Sequence, residues 1–172
     1  VEFELSVDSK TDTGAVAEWC DAVASSVVAV TPMRIVIDCA NGAASSVAPG
    51  IFRGLGLEVE VLHAQPDGRN INDACGSTHP EDLQRAVVAS GAALGLAFDG
   101  DADRVIFTDE TGVSVSGDRI LTLCALALME EGKLRGATMA CTVMSNLGLH
   151  EALRAAGIAV LTTAVGDRHV IE

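Results

Sequence analysis

The chain has 172 residues, of which 49% are apolar and 3% aromatic, with no tyrosine and a net charge of −13. At about 100–150 residues per domain that length accommodates one full core and part of a second, and the apolar share excludes a disordered chain. The acidic balance excludes a nucleic-acid partner, which needs clustered Lys and Arg, and the longest apolar run, 120–129, falls well short of the roughly 20 residues of a membrane span.

No basic-then-apolar leader opens the sequence, so a cytoplasmic location is expected. The five cysteines, at positions 20, 39, 75, 124 and 141, are odd in number and lack CxxC spacing. They are expected to be reduced core thiols with no disulfide or zinc framework.

Residues 1–13, VEFELSVDSKTDT, form a polar extension without helical or strand patterning. GAVAEWCDAVASSVVAV (14–30) reads as a helix whose largest apolar group is Trp19. RIVIDCA (34–40) is a β-branched strand, NGAASSVAPGIFRGLG (41–56) a short helix closed by glycine, and EVEVLHA (58–64) a second strand, which together make a βαβ unit. After the loop QPDGRNINDACGS, the pair Thr78 and Glu81 has capping-box spacing, predicting a helix through PEDLQRAVVAS that stops at Gly91.

A third strand, LGLAFDG (94–100), is followed almost at once by RVIFTDE (104–110). Three intervening residues are too few for a parallel crossover, which needs about a dozen, so these strands must form an antiparallel hairpin. The predicted fold is α/β: a three-layer arrangement around a mixed, mostly parallel four-stranded sheet whose last strand is antiparallel. A second α/β unit begins with the helix RILTLCALALMEEG, continues through TMACTVM, NLGLHEALRAAG and IAVLTTA, and is incomplete at Glu172. The expected division is 1–13 extension, 14–116 first unit and 117–172 second unit.

Loops leaving the carboxyl ends of parallel strands share one sheet edge, where ligands gather. Here they are DCANG, DGRNINDACG and DGDADR. Asp38, Asn41 and Gly42 read as strand end, left-handed turn and cap, and Asn70 and Asn72 as loop-backbone partners. Asp99, Asp101 and Asp103 are different: spaced i, i+2, i+4 at a tight turn, they project carboxylates to one side, and such a set repels itself unless a cation sits among them. Hard oxygen donors suit Mg²⁺, with Mn²⁺ or Ca²⁺ as alternatives.

An EF-hand starting at Asp99 would place Glu110 at its twelfth position, but its sixth, which requires glycine, is Arg104. An Asp-x-Asp-x-Thr phosphatase motif is excluded because no Thr follows at the required place. Arg104 either holds a phosphate beside the cation or pairs with a neighbouring aspartate.

FDGDADRV resembles the metal loop of the α-D-phosphohexomutase superfamily, and DGRNINDACGSTHPEDLQ, TVMSNLGL and AVGDRHVIE look like its phosphoglucosamine mutase branch. The likeness runs from about residue 14 to the end, with four motifs in the family's order. It implies that Asp99, Asp101 and Asp103 hold Mg²⁺ (or Mn²⁺), that Arg104 helps hold phosphate, and that Gly166, Asp167 and Arg168 belong to a substrate-facing loop. It also implies an isomerase acting on a phosphosugar, glucosamine 6-phosphate, through a phosphoserine on another domain, in amino-sugar and cell-wall precursor biosynthesis.

The family's usual middle glycine in the metal loop is Ala102 here, a conservative departure. The family's Thr-Ala-Ser-His-Asn-Pro nucleophile loop does not occur in the chain, and Ser145 reads as a helix cap. The fragment alone is therefore expected to be inactive. Two other readings stand beside this one: a phosphoglucomutase or phosphomannomutase fragment, and a non-catalytic assembly module that pairs as a homo-oligomer through the exposed edge of its incomplete unit.

Overall fold

The computed structural model describes residues 14–27 and 30–171; the extension 1–13 lies outside them. The chain divides into two compact units between Val113 and Ser114.

In the first unit, α1 (Ala15–Ser26) precedes β1 (Arg34–Asp38), and a 3-10 turn over Ala43–Ser46 leads into α2 (Ala48–Gly54). Then come β2 (Glu58–Leu62), a 3-10 turn at Gly76–Thr78, α3 (Glu81–Ser90), β3 (Leu94–Phe98) and β4 (Val105–Asp109). β1 pairs in parallel with β2 and β3, and β3 pairs antiparallel with β4, Leu94 opposite Asp109 and Phe98 opposite Val105. The mixed four-stranded sheet with an antiparallel last strand is thus as expected, and the two-residue β5 (Ser114–Val115) opens the second unit.

β1 is central, and its β-branched residues serve both faces because successive side chains alternate. Ile35 and Ile37 pack with Ala44, Ala48 and Leu96 towards α2, while Val36 packs with Leu83, Val87 and Ala97 towards α3. That gives the three-layer α/β/α arrangement.

Two local readings are corrected. The stretch 41–56 is not one helix but a 3-10 turn and a separate α2. Thr78 does not cap α3: it sits in a 3-10 turn, and the cap position is Pro80, with no side-chain cap bond. The residue before a proline is pushed out of the helical region, so the helix starts only after Pro80. Its Gly91 stop is as expected, with φ +65° and its N–H directed to Val87 and Val88 carbonyls.

The second unit holds α4 (Gly117–Glu130), β6 (Thr138–Thr142), α5 (Leu147–Ala155), β7 (Ala159–Thr163) and α6 (Asp167–Ile171). β6 and β7 run parallel, and their core is Ala125, Cys141, Leu149, Leu153 and Ile158. The cap of α5 is Asn146, whose side chain accepts from the Leu149 N–H at 3.0 Å, rather than Ser145. All five cysteines are free thiols; Cys39, Cys75 and Cys141 are buried, but Cys124 is exposed on α4 rather than in a core. Among the described residues no helix is long and apolar enough to cross a membrane.

Candidate functional site

The turn between β3 and β4 is held by its own backbone: the Asp99 N–H donates to the Arg104 carbonyl at 3.3 Å and the Ala102 N–H to the Asp99 carbonyl at 3.1 Å. Ala102 takes a left-handed conformation with φ +61°, which glycine would enter without the penalty of a Cβ. On this tip the carboxylates of Asp99, Asp101 and Asp103 converge, one oxygen of each lying within 4.8 Å of the others. Asp99 is buried at 2% exposure, whereas Asp101 and Asp103 face solvent.

Arg104 pairs with the neighbouring aspartates. Its Nε donates to Asp99 Oδ2 at 2.8 Å, with Nη2 ion-paired to the same oxygen at 2.8 Å, its backbone N–H donates to Asp99 Oδ1 at 3.0 Å, and Nε also reaches Asp103 Oδ1 at 3.3 Å. Burial pushes the Asp99 carboxyl upward, but the Arg104 N–H, a hydrogen bond shared with Asp103 and the guanidinium charge outweigh it and hold Asp99 below the ordinary carboxylate value. Asp103 is raised, first by the hydrogen bond it shares with Asp99, then by burial and by the charges of Asp101 and Asp99. Crowded like charges of this kind are relieved by a cation, and three carboxylates without sulfur or nitrogen fit a hard one such as Mg²⁺.

The tip is braced from the neighbouring loops. Gly100 accepts from the Ala43 N–H at 2.9 Å, and a Cβ on Gly42 would come within 2.2 Å of the Gly100 carbonyl oxygen. A Cβ on Gly76 would meet the Phe98 carbonyl oxygen at 2.5 Å. Two glycines thus let two loops close on the backbone flanking the acidic turn.

Asn41 takes the left-handed turn expected of it, φ +48°, and its Oδ1 accepts from the Gln65 N–H at 3.0 Å. The Asn70 side chain bonds loop backbone as expected, Oδ1 accepting from the Asp67 N–H at 3.0 Å, whereas Asn72 is tied through its backbone N–H, which donates to the Ala40 carbonyl at 3.0 Å. Gly166, Asp167 and Arg168 belong to the second unit, where Gly166 has φ +129°, its carbonyl accepts from the His169 N–H at 3.0 Å, and α6 begins at Asp167.

One convergence escaped the sequence reading. Asp38, His63 and Cys75 also bring ligand atoms within 4.8 Å of one another, although they are far apart in the chain.

Residues 16–112 match the family model for phosphoglucomutase/phosphomannomutase, alpha/beta/alpha domain II, and residues 116–172 match domain III. The chain belongs to this family. It is 63% identical over 140 residues to a phosphoglucosamine mutase of Moorella thermoacetica, covering 81% of this chain and 32% of that protein. A phosphoglucosamine mutase of Desulforudis audaxviator is 60% identical over the same length, again 81% of this chain and 31% of the relative. A solved phosphoglucomutase/phosphomannomutase family protein from Burkholderia thailandensis superposes with a TM-score of 0.79 at 28% identity, covering 91% of this chain and 34% of the other. The phosphohexomutase chain described here therefore spans about a third of the length of these relatives.

Proposed function

We propose that this chain is the cation-holding portion of a phosphoglucosamine mutase, which interconverts glucosamine 6-phosphate and glucosamine 1-phosphate. The observation that carries the reading is the convergence of Asp99, Asp101 and Asp103 on one hairpin tip, in a chain 63% identical to a protein of that name.

When bound, Mg²⁺ supplies neutralisation of charge on the phosphoryl group in transfer. Asp99, buried and fixed through both oxygens by Arg104, and the solvent-facing Asp101 and Asp103 would hold the cation. A phosphoserine on another domain would supply the remaining protein oxygen, since the chain contains no Ser-His-Asn-Pro sequence. Arg104, already aligned on the carboxylates, is placed to orient phosphate oxygens, and Gly166, Asp167 and Arg168 form the sugar-facing loop.

Calorimetry tests the cation half. Mg²⁺ or Mn²⁺ binds the chain, and Asp101→Asn abolishes that uptake; equal uptake by both proteins overturns the assignment. The reaction half is tested by replacing the matching segment of the Moorella thermoacetica relative with residues 14–172. The chimera is expected to turn over glucosamine 6-phosphate faster than glucose or mannose 6-phosphate. A folded, Mg²⁺-binding chimera that prefers either of the other sugars overturns the glucosamine assignment.

A further inference from the structure

The Asp38, His63 and Cys75 cluster lies outside the acidic tip and differs from it in chemistry. Its donors are a carboxylate at the end of β1, an imidazole just after β2 and a thiol just before the 3-10 turn at Gly76–Thr78. Asp38 and Cys75 are fully buried and His63 is partly so.

Asp38 is fixed by two backbone donors, the Ala40 N–H on Oδ1 at 2.9 Å and the Gly76 N–H on Oδ2 at 3.0 Å. The second of these ties the carboxylate to the residue next to Cys75. His63 Nδ1 lies 3.0 Å from Asp38 Oδ2, yet the pair lacks hydrogen-bond alignment and Nδ1 is a buried nitrogen without a hydrogen-bond partner. The other ring nitrogen, Nε2, faces Asp82 Oδ2 on α3 at 3.4 Å. A ligating histidine characteristically offers one nitrogen to the cation and gives the other N–H to a carboxylate, which fixes its tautomer.

We propose that Asp38, His63 and Cys75 form a second cation site, selective for a borderline dication of the Zn²⁺ class, with Asp82 orienting the imidazole. Mixed sulfur, nitrogen and oxygen donors select such an ion, whereas the all-oxygen tip selects a hard one. Binding exchanges the Cys75 proton for the cation, the proton leaving to water, with no electron transferred. His63 also lines a cleft of about 730 Å³ together with Asn41, Gln65, Asp67 and Asn70, the side from which a cation would approach the imidazole. The site staples the loops after β1 and β2 to the segment that enters α3.

The test is a Co²⁺ titration of the chain in excess Mg²⁺, followed by absorption. A sulfur-to-cobalt charge-transfer band in the near ultraviolet and tetrahedral bands in the visible are expected, saturating at a single equivalent. Cys75→Ser removes the charge-transfer band, Asp82→Asn weakens uptake by about 10–100-fold, and Asp101→Asn leaves both band and affinity unchanged. Absence of the band from the unmodified chain overturns the proposal, as does its survival in Cys75→Ser or its loss in Asp101→Asn. Should Cys75→Ser fail to fold, Asp82→Asn decides: that residue lies on the exposed side of α3, and unchanged Co²⁺ affinity in this variant overturns the site.

Discussion

Packed against Gly100, the residue before Asp101, Gly42 leaves no room for a side chain. An alanine there would drive its Cβ into the Gly100 carbonyl oxygen at 2.2 Å, against backbone that cannot rotate away. Gly42→Ala is expected to destabilise the first unit by about 3 kcal/mol in urea unfolding and to weaken Mg²⁺ uptake, because Gly100 immediately precedes Asp101. Cys39 tests burial in a different way. Burial, then the Asp38 charge, pushes its thiol from 9.0 to about 11, so the folded state holds the proton more tightly than the unfolded one. That contribution to stability is fully present below about pH 9 and is lost as pH rises towards 11. In a labelling experiment at pH 8 Cys124 reacts with iodoacetamide and Cys39 does not until the chain is unfolded. The acidic tip was legible in the sequence because its aspartates are spaced by two, whereas Asp38, His63 and Cys75 become neighbours only once β2 and the loop before α3 lie beside β1, and no local spacing encodes that.

At the scale of elements, both caps read from the sequence, Ser145 and Thr78, give way to other residues. Asn146 holds α5 twice, accepting from the Leu149 N–H at 3.0 Å and donating through Nδ2 to Asp118 Oδ2 at 2.8 Å. Asn146→Ala is expected to cost the second unit about 1 kcal/mol, measured as a shift of its denaturation midpoint. Thr78, by contrast, has the spacing of a cap box but is separated from the helix by His79 and Pro80, and the proline overrides the pattern. The β3–β4 hairpin was legible because chain length alone forbids a parallel crossover. β5 was not, since two residues are too few to display a period.

At the scale of the molecule, the described residues form two buried clusters in the first unit and one in the second, with no residue in common. Leu153, fully buried on α5, anchors the cluster of the second unit. Leu153→Ala is expected to destabilise that unit by about 2–5 kcal/mol in thermal unfolding and to leave Mg²⁺ affinity unchanged, because all three carboxylates belong to the first unit.

β3 is bonded along both edges, to β1 on one side and β4 on the other, while the turn that follows it is closed by only a few bonds of its own. Amide hydrogens of such a doubly paired strand exchange with solvent only through large openings, on the slow end of the native-state range. Surface turns rearrange in nanoseconds to microseconds. A ligand at the tip can therefore arrive and depart many orders of magnitude faster than the strand beneath it opens, and its turnover leaves the sheet's exchange clock untouched.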